Sequence, residues 1–317
     1  MYSSTKTNTN TINRTEAGNS VVKFSVLKQS LPLYLFILPA VLFIICFMVY
    51  PIIYNIIVSF QNLTILNLKT GGTFIGLENY LEVIKSEKFG IALKNTFIYT
   101  GVCIVFQVVF GYLLAVFFNQ QFPFRNFFRS IFLLAWMTPL VITGTLFKWL
   151  FDVDYGVINE LLMNFHFIDK PVNWLGQEST ALAAVIVTNI WIGIPFNMIL
   201  ILSALQALPL DVYEAAKIDG ANRFQTFRKI TLPLLKPTLF VILVLGIIYT
   251  FKVFDIILVM TGGGPVNATQ VLPFFGYEQA FVNFNFGASG AVATIILVIL
   301  MCFSLVYLYL VKKEESA

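Results

Sequence analysis

The sequence predicts an all-α transmembrane fold of six spans, and three observations carry that prediction. Of 317 residues, 58% are hydrophobic and only 11% charged, against roughly a quarter charged in soluble domains. Mean hydropathy is +0.83, so the chain is built for lipid. Six apolar segments, about 33–60, 95–118, 127–151, 181–204, 237–260 and 289–311, each reach the roughly 20 helical residues that a bilayer core requires.

Residues 1–30 differ in kind. They are rich in Thr, Asn and Ser with scattered Lys, and read as a flexible cytoplasmic tail ahead of a transmembrane domain over 31–317. The first apolar stretch is too long for a signal peptide and has no small-residue cleavage pattern, so it is read as a retained span. Orientation follows from the cationic residues of the connections. Segments 1–32, 119–126, 205–236 and 312–317, with Arg129, hold thirteen Lys and Arg, whereas the other connections hold five: Lys69, Lys85, Lys88, Lys94 and Lys170. Both termini are therefore expected in the cytoplasm.

The three outer connections, 61–94, 152–180 and 261–288, are long. Gly71-Gly72 breaks the first, and Gly76 to Gly90 reads as a short amphipathic helix. The third carries Phe274, Phe275, Tyr277, Phe281, Phe284 and Phe286, suited to an interfacial anchor or a docking surface. The three cysteines lie in apolar runs without CxxC spacing, and His166 has no ligand at metal spacing. Thiol and metal chemistry are not expected. Nor does a basic stripe suggest nucleic acid.

The inner loop 205–236 is the informative one. Asp211 and Glu214 have capping-box spacing ahead of a helix at about 212–218 with Ala215 and Ala216 on it. Gly220 suits the corner that follows. Asn222 and Gln225 repeat the cap, and Phe224, Phe227 and Ile230 share one face of a second short helix that Pro233 is expected to stop, with Pro237 starting the next span. Helix connections usually take 2–8 residues, so a charged, doubly capped loop of this length predicts a docking bracket.

That loop carries a resemblance. Glu214, Ala215, Ala216, Gly220, Ile230, Leu232 and Pro233 stand at every fixed position of the EAA motif, Glu-Ala-Ala, three residues, Gly, nine residues, Ile, one residue, Leu-Pro. The chain therefore resembles the permease subunits of binding-protein-dependent ABC importers. The strings GLENY (76–80), NTFIYT (95–100), FDVDYGVIN (151–159) and TGGGP (261–265) resemble its carbohydrate-uptake branch, which includes the larger permease of maltose transporters. The chain lacks that subunit's additional N-terminal spans and large external domain. The resemblance implies that the bracket seats in a cleft of an ATPase, that the seven motif residues couple ATP hydrolysis to the spans, and that Glu214 is the polar contact.

It also implies partners: a second related permease, two copies of a cytoplasmic ABC ATPase and an external solute-binding protein, all around a chain embedded in lipid. The chain has no GxxxxGK[ST] sequence and no triad, carboxylate pair or metal cluster. It is therefore expected to bind no cofactor itself, ATP and Mg being used by the partner, and not to be an enzyme. Gly262-Gly263-Gly264-Pro265 is read as a flexible turn.

Candidate pathway residues come from the fourth and fifth spans. Trp191, Phe196 and Asn197, around Pro195, combine ring faces with an amide, the mixture that sugars bind. By position in the resembling family, Ile192, Gly193, Phe196, Gly246, Tyr249, Thr250 and Val253 would face the pathway. Lys252 and Asp255 are spaced for an ion pair on one helical face, or for substrate. A sugar is the expected solute. A polyol phosphate, which would favour Lys or Arg in the pathway, and a secondary transporter are the alternatives.

Overall fold

The computed structural model describes residues 36–315, with side chains up to Tyr309; the expected tail 1–30 and the start of the first span lie outside the described residues. The chain divides into two units, Met1–Ile57 and Val58–Ala317. In the first, the described residues form most of helix α1 (Phe36–Ser59), which contains a π turn at Ile45–Val49.

The second unit is almost entirely helical. Two-residue strands β1 (Gln61–Asn62) and β2 (Thr73–Phe74) pair antiparallel, Gln61 opposite Phe74. The helices α2 (Glu78–Lys85) and α3 (Glu87–Asn119) follow. Ser86 caps α3, its Oγ accepting from Phe89 N at 3.2 Å with Glu87 in the first turn. This cap starts α3 eight residues ahead of the expected span. At 1.5 Å per residue α3 is about 50 Å long, more than the hydrocarbon core requires.

The expected third span is not one helix. It consists of α4 (Arg125–Met137) and α5 (Leu140–Leu150), bent by 95°. Thr138 precedes a proline, which disfavours the α conformation at that position; its ψ is 130° and that of Pro139 is 137°. After α6 (Val157–Asn164), α7 (Glu178–Gln206) runs through Pro195 without a break.

The bracket differs from expectation at both ends. Helix α8 (Leu210–Ile218) begins after an extended Pro209 with no side-chain cap, so Asp211 sits in its first turn and caps nothing. Gly220 has φ +75°, the left-handed corner. Asn222 and Gln225 form the reciprocal capping box that opens α9 (Arg223–Thr226), both bonds being 2.9 Å. Pro233 does not end the helix. A π turn at Phe227–Thr231 leads straight into α10 (Leu232–Phe251), with Pro233 in its first turn and Pro237 inside it. In the wider turn Leu232 N–H reaches Phe227 O, and the missing donor of Pro233 falls at the junction.

The expected fifth span breaks at 252–254 before α11 (Asp255–Met260). Lys252 and Asp255 therefore do not share a continuous helical face. Among the described residues the ion pair is Lys88–Glu278, at 3.0 Å, not Lys252–Asp255. Helix α12 (Leu272–Tyr277), a π turn at Glu278–Val282 and α13 (Phe286–Glu315) complete the chain. Phe274 and Phe275 are buried in two core clusters, so they are packing residues and not surface anchors, whereas Phe281 is exposed.

The core is centred on α3 and α7, the most extensively packed helix pair. Small residues let them approach: a Cβ added at Gly111 of α3 would stand 2.7 Å from the Cβ of Asn197 on α7. At one end of the bundle three buried asparagines fasten the long connections. Asn79 Nδ2 donates to Ser59 O and Gln61 O, both at 2.9 Å. Asn95 Nδ2 donates to Ala268 O at 3.0 Å. Asn159 donates to Val172 O at 3.0 Å and accepts from Val172 N and Trp174 Nε1 at 3.2 and 2.8 Å. The glycine turn is held just as firmly, because Thr269 Oγ1 donates to Gly264 O and lies 2.7 Å from Thr261 Oγ1. These two contacts close the turn.

Overpacking a close helix contact costs typically 1–3 kcal/mol. Gly111→Val should therefore lower the thermal unfolding midpoint of the detergent-purified protein by several degrees. Gly101→Ala, where a Cβ meets nothing within 4 Å, should leave that midpoint unchanged.

Candidate functional site

A cavity of about 440 Å³ opens between α3, α4, α5, α7 and α10. Helix α7 lines it with Asn189, Ile192, Gly193, Phe196 and Asn197, and α10 with Gly246, Tyr249 and Thr250. Val253 joins from the break after α10, Gln107 from α3, and Trp136, Thr138, Pro139 and Leu140 from the bend between α4 and α5. Eight of the nine pathway candidates in the fourth and fifth spans thus come to one cavity. Trp191 does not: its ring lies 5.3 Å from that of Phe147.

Six lining residues escaped the sequence reading. Gln107 and Asn189 left a usable signal, each being a polar residue within an apolar run, with Asn189 one helical turn before Gly193. Trp136, Thr138, Pro139 and Leu140 reach the cavity only because the chain turns sharply there, and nothing in their spacing announces a 95° bend.

One wall is aromatic. Trp136 and Phe196 stack at 5.2 Å and 23°, and Phe196 meets Tyr249 edge-on at 6.2 Å and 81°. The floor is polar and buried. Gln107 Nε2 donates to Asn189 O at 2.9 Å, and Asn197 Nδ2 donates to Gly193 O at 2.8 Å. Thr250 Oγ1 is buried with no hydrogen-bond partner among the described residues. Gly193 is required by Gln107: a Cβ there would stand 2.3 Å from the Gln107 carboxamide carbon. None of the described residues that line the cavity is charged. Ring faces beside amides and a hydroxyl suit a ligand with both apolar faces and hydroxyl groups.

The bracket lies at the other end of α10. Glu214 and Ala215 are exposed and Ala216 is buried. Ile230 is half-buried, and Leu232 and Pro233 are exposed. Tyr213 Oη lies 3.0 Å from the buried Thr231 Oγ1, tying α8 to the start of α10. The expected ridge is divided: Phe227 turns to the Tyr112 ring at 5.4 Å, while Phe224 is exposed, as are Leu210 and Ile218 of α8. Among the described residues no group of three metal-ligating side chains comes together.

Residues 107–314 match the model of the binding-protein-dependent transport system inner membrane component. The chain belongs to that family. It is a multi-pass transport component of the inner membrane, with five described helices able to span a bilayer, or six when the bent pair counts as one. Among its relatives, the trehalose/maltose transport system permease protein MalF of Thermococcus litoralis is 34% identical over 276 residues, covering 87% of this chain and 92% of the relative. The diacetylchitobiose uptake system permease protein DasB of Streptomyces coelicolor is 32% identical over 287 residues, covering 89% and 87%. A solved bacterial ABC transporter involved in import of the acidic polysaccharide alginate contains a similar chain. The TM-score is 0.78 at 24% identity, covering 92% of this chain and 98% of that one. At that identity the likeness speaks of the fold.

In this family member Gly193 and Gln107 form one packing unit. Gly193→Ala should displace the carboxamide and lower thermal stability, and the Gln107→Ser change should relieve much of that loss. A double-mutant cycle read by thermal unfolding is expected to give a coupling of about 0.5–3 kcal/mol; additive effects would contradict the contact.

Proposed function

We propose that the chain is the transmembrane subunit of an ATP-driven, binding-protein-dependent importer and forms half of the translocation pathway for a sugar or oligosaccharide. The observation that carries this reading is the cavity. Its aromatic wall offers faces for pyranose rings, and Gln107, Asn189, Asn197 and Thr250 offer hydrogen-bonding groups for hydroxyls. Among the described lining residues no Arg or Lys is placed to bond a phosphate directly, which weighs against a polyol phosphate; a cation beside the wall acts only at longer range. The uptake systems named for trehalose, maltose and diacetylchitobiose among the relatives support the same class.

In this reading a second permease supplies the other half of the pathway, and an external binding protein delivers the solute. Two copies of a cytoplasmic ATPase, using ATP and Mg, receive the brackets. The thirteen cationic residues on one set of connections against five on the other support a cytoplasmic bracket and cytoplasmic termini. Glu214 and Ala215 face outward for the ATPase, Ala216 packs α8 close, and Gly220 turns the corner. Ile230, Leu232 and Pro233 begin the helix that returns to the cavity.

Gly220→Val puts a β-branched residue at φ +75°. It should abolish uptake and weaken ATPase co-purification while leaving membrane insertion intact; normal uptake would refute the coupling role. Tyr249→Ala and Phe196→Ala should lower uptake at least severalfold with the ATPase still bound. Loss of assembly in either variant would make these rings packing residues.

A further inference from the structure

The described lining of the cavity is uncharged, yet a cation adjoins one of its wall residues. Lys252 is the residue at which α10 ends, between Thr250 and Val253, both of which line the cavity. Its side chain is exposed, and its Nζ lies 5.7 Å from the centre of the Tyr249 ring, itself part of the cavity wall. No carboxylate lies within 4.0 Å of it among the described residues, and Asp255, across the break, opens a separate helix. A cation at a helix C-terminus is ordinary, since it faces carbonyls that have lost their donors. Within a membrane-spanning segment, however, an ammonium compensated only by a ring face and a helix end is costly, and such residues mark substrate paths.

We propose that Lys252 is a specificity-determining residue that sets the charge preference of the cavity: it favours saccharides bearing a carboxylate over neutral ones and disfavours those bearing an ammonium. The inference rests on the reading of the cavity as a saccharide site. The bend residues, the amides and the rings are all neutral, so they select shape and hydroxyl pattern but not charge. The Lys252 ammonium is what gives the space a sign. At an effective dielectric of about 20, a unit charge about 7 Å away changes affinity on the order of tenfold or more, and partial hydration reduces this.

The test is direct binding to the detergent-purified transporter complex, without its external binding protein, of three matched probes: a methyl glucuronide, a methyl glucoside and a methyl glucosaminide. Wild type should bind them in that order, with about tenfold between the first two. Lys252→Gln should bring the three affinities together, Lys252→Arg should keep the order, and Asp255→Asn should leave it unchanged. Equal affinities in wild type would overturn the inference and leave the saccharide reading standing, as would an order preserved in Lys252→Gln or flattened by Asp255→Asn. Failure of the Lys252→Gln complex to assemble where Lys252→Arg assembles would also overturn it, by making Lys252 a subunit contact. Failure of all three probes to bind wild type would overturn the saccharide reading with it.

Discussion

Every backbone N–H and C=O inside a bilayer core must find its partner within the protein, and this fold is arranged around that requirement. Helices meet it over most of the chain. The long connections between them cannot, and each of the three is fastened by one buried asparagine: Asn79, Asn95 and Asn159. A carboxamide suits the task because it donates and accepts at once, so a single side chain can satisfy two or three loop groups. Asn159 does so on both counts, bonding Val172 through both its N–H and its C=O.

The same requirement explains where helices are allowed to break. The chain departs from helix at Thr138–Pro139 and again at 252–254, and both departures border the cavity. Irregular backbone at membrane depth survives where it is buried in protein or borders a polar space. The breaks bring backbone and short side chains to the space between α7 and α10, which two uninterrupted helices would have filled with packing.

Much of this was legible from the amino acids. Apolar runs of sufficient length located the spans, because the bilayer sets a length that composition alone can meet. Gly220 and the Asn222–Gln225 cap were readable because each is a local requirement of the backbone. The four strings GLENY, NTFIYT, FDVDYGVIN and TGGGP signalled kinship without saying why; three of them each contain a fastening asparagine, and the fourth is the turn that Thr269 closes. What escaped depended on competition between neighbours. Pro139 breaks its span, whereas Pro195, Pro233 and Pro237 are carried within continuous helix. A π turn ahead of Pro233 takes up the lost donor, and no residue pattern distinguishes these outcomes. The Lys252–Asp255 spacing misled for a related reason, since i, i+3 geometry presumes a helix that does not continue.

The tie between Tyr213 and Thr231 gives α10 a property beyond holding the bracket in place. From Leu232 to Tyr249 the helix rises about 25 Å at 1.5 Å per residue. With one end clasped to α8 and the other ending in the cavity wall, it has the dimensions of a crank arm. Rocking such an arm by about 5° about its clasped end sweeps Tyr249 through roughly 2 Å, more than half the thickness of an aromatic ring. The length of α10 thus turns a small tilt about its bracket end into a ring-sized displacement at the aromatic wall.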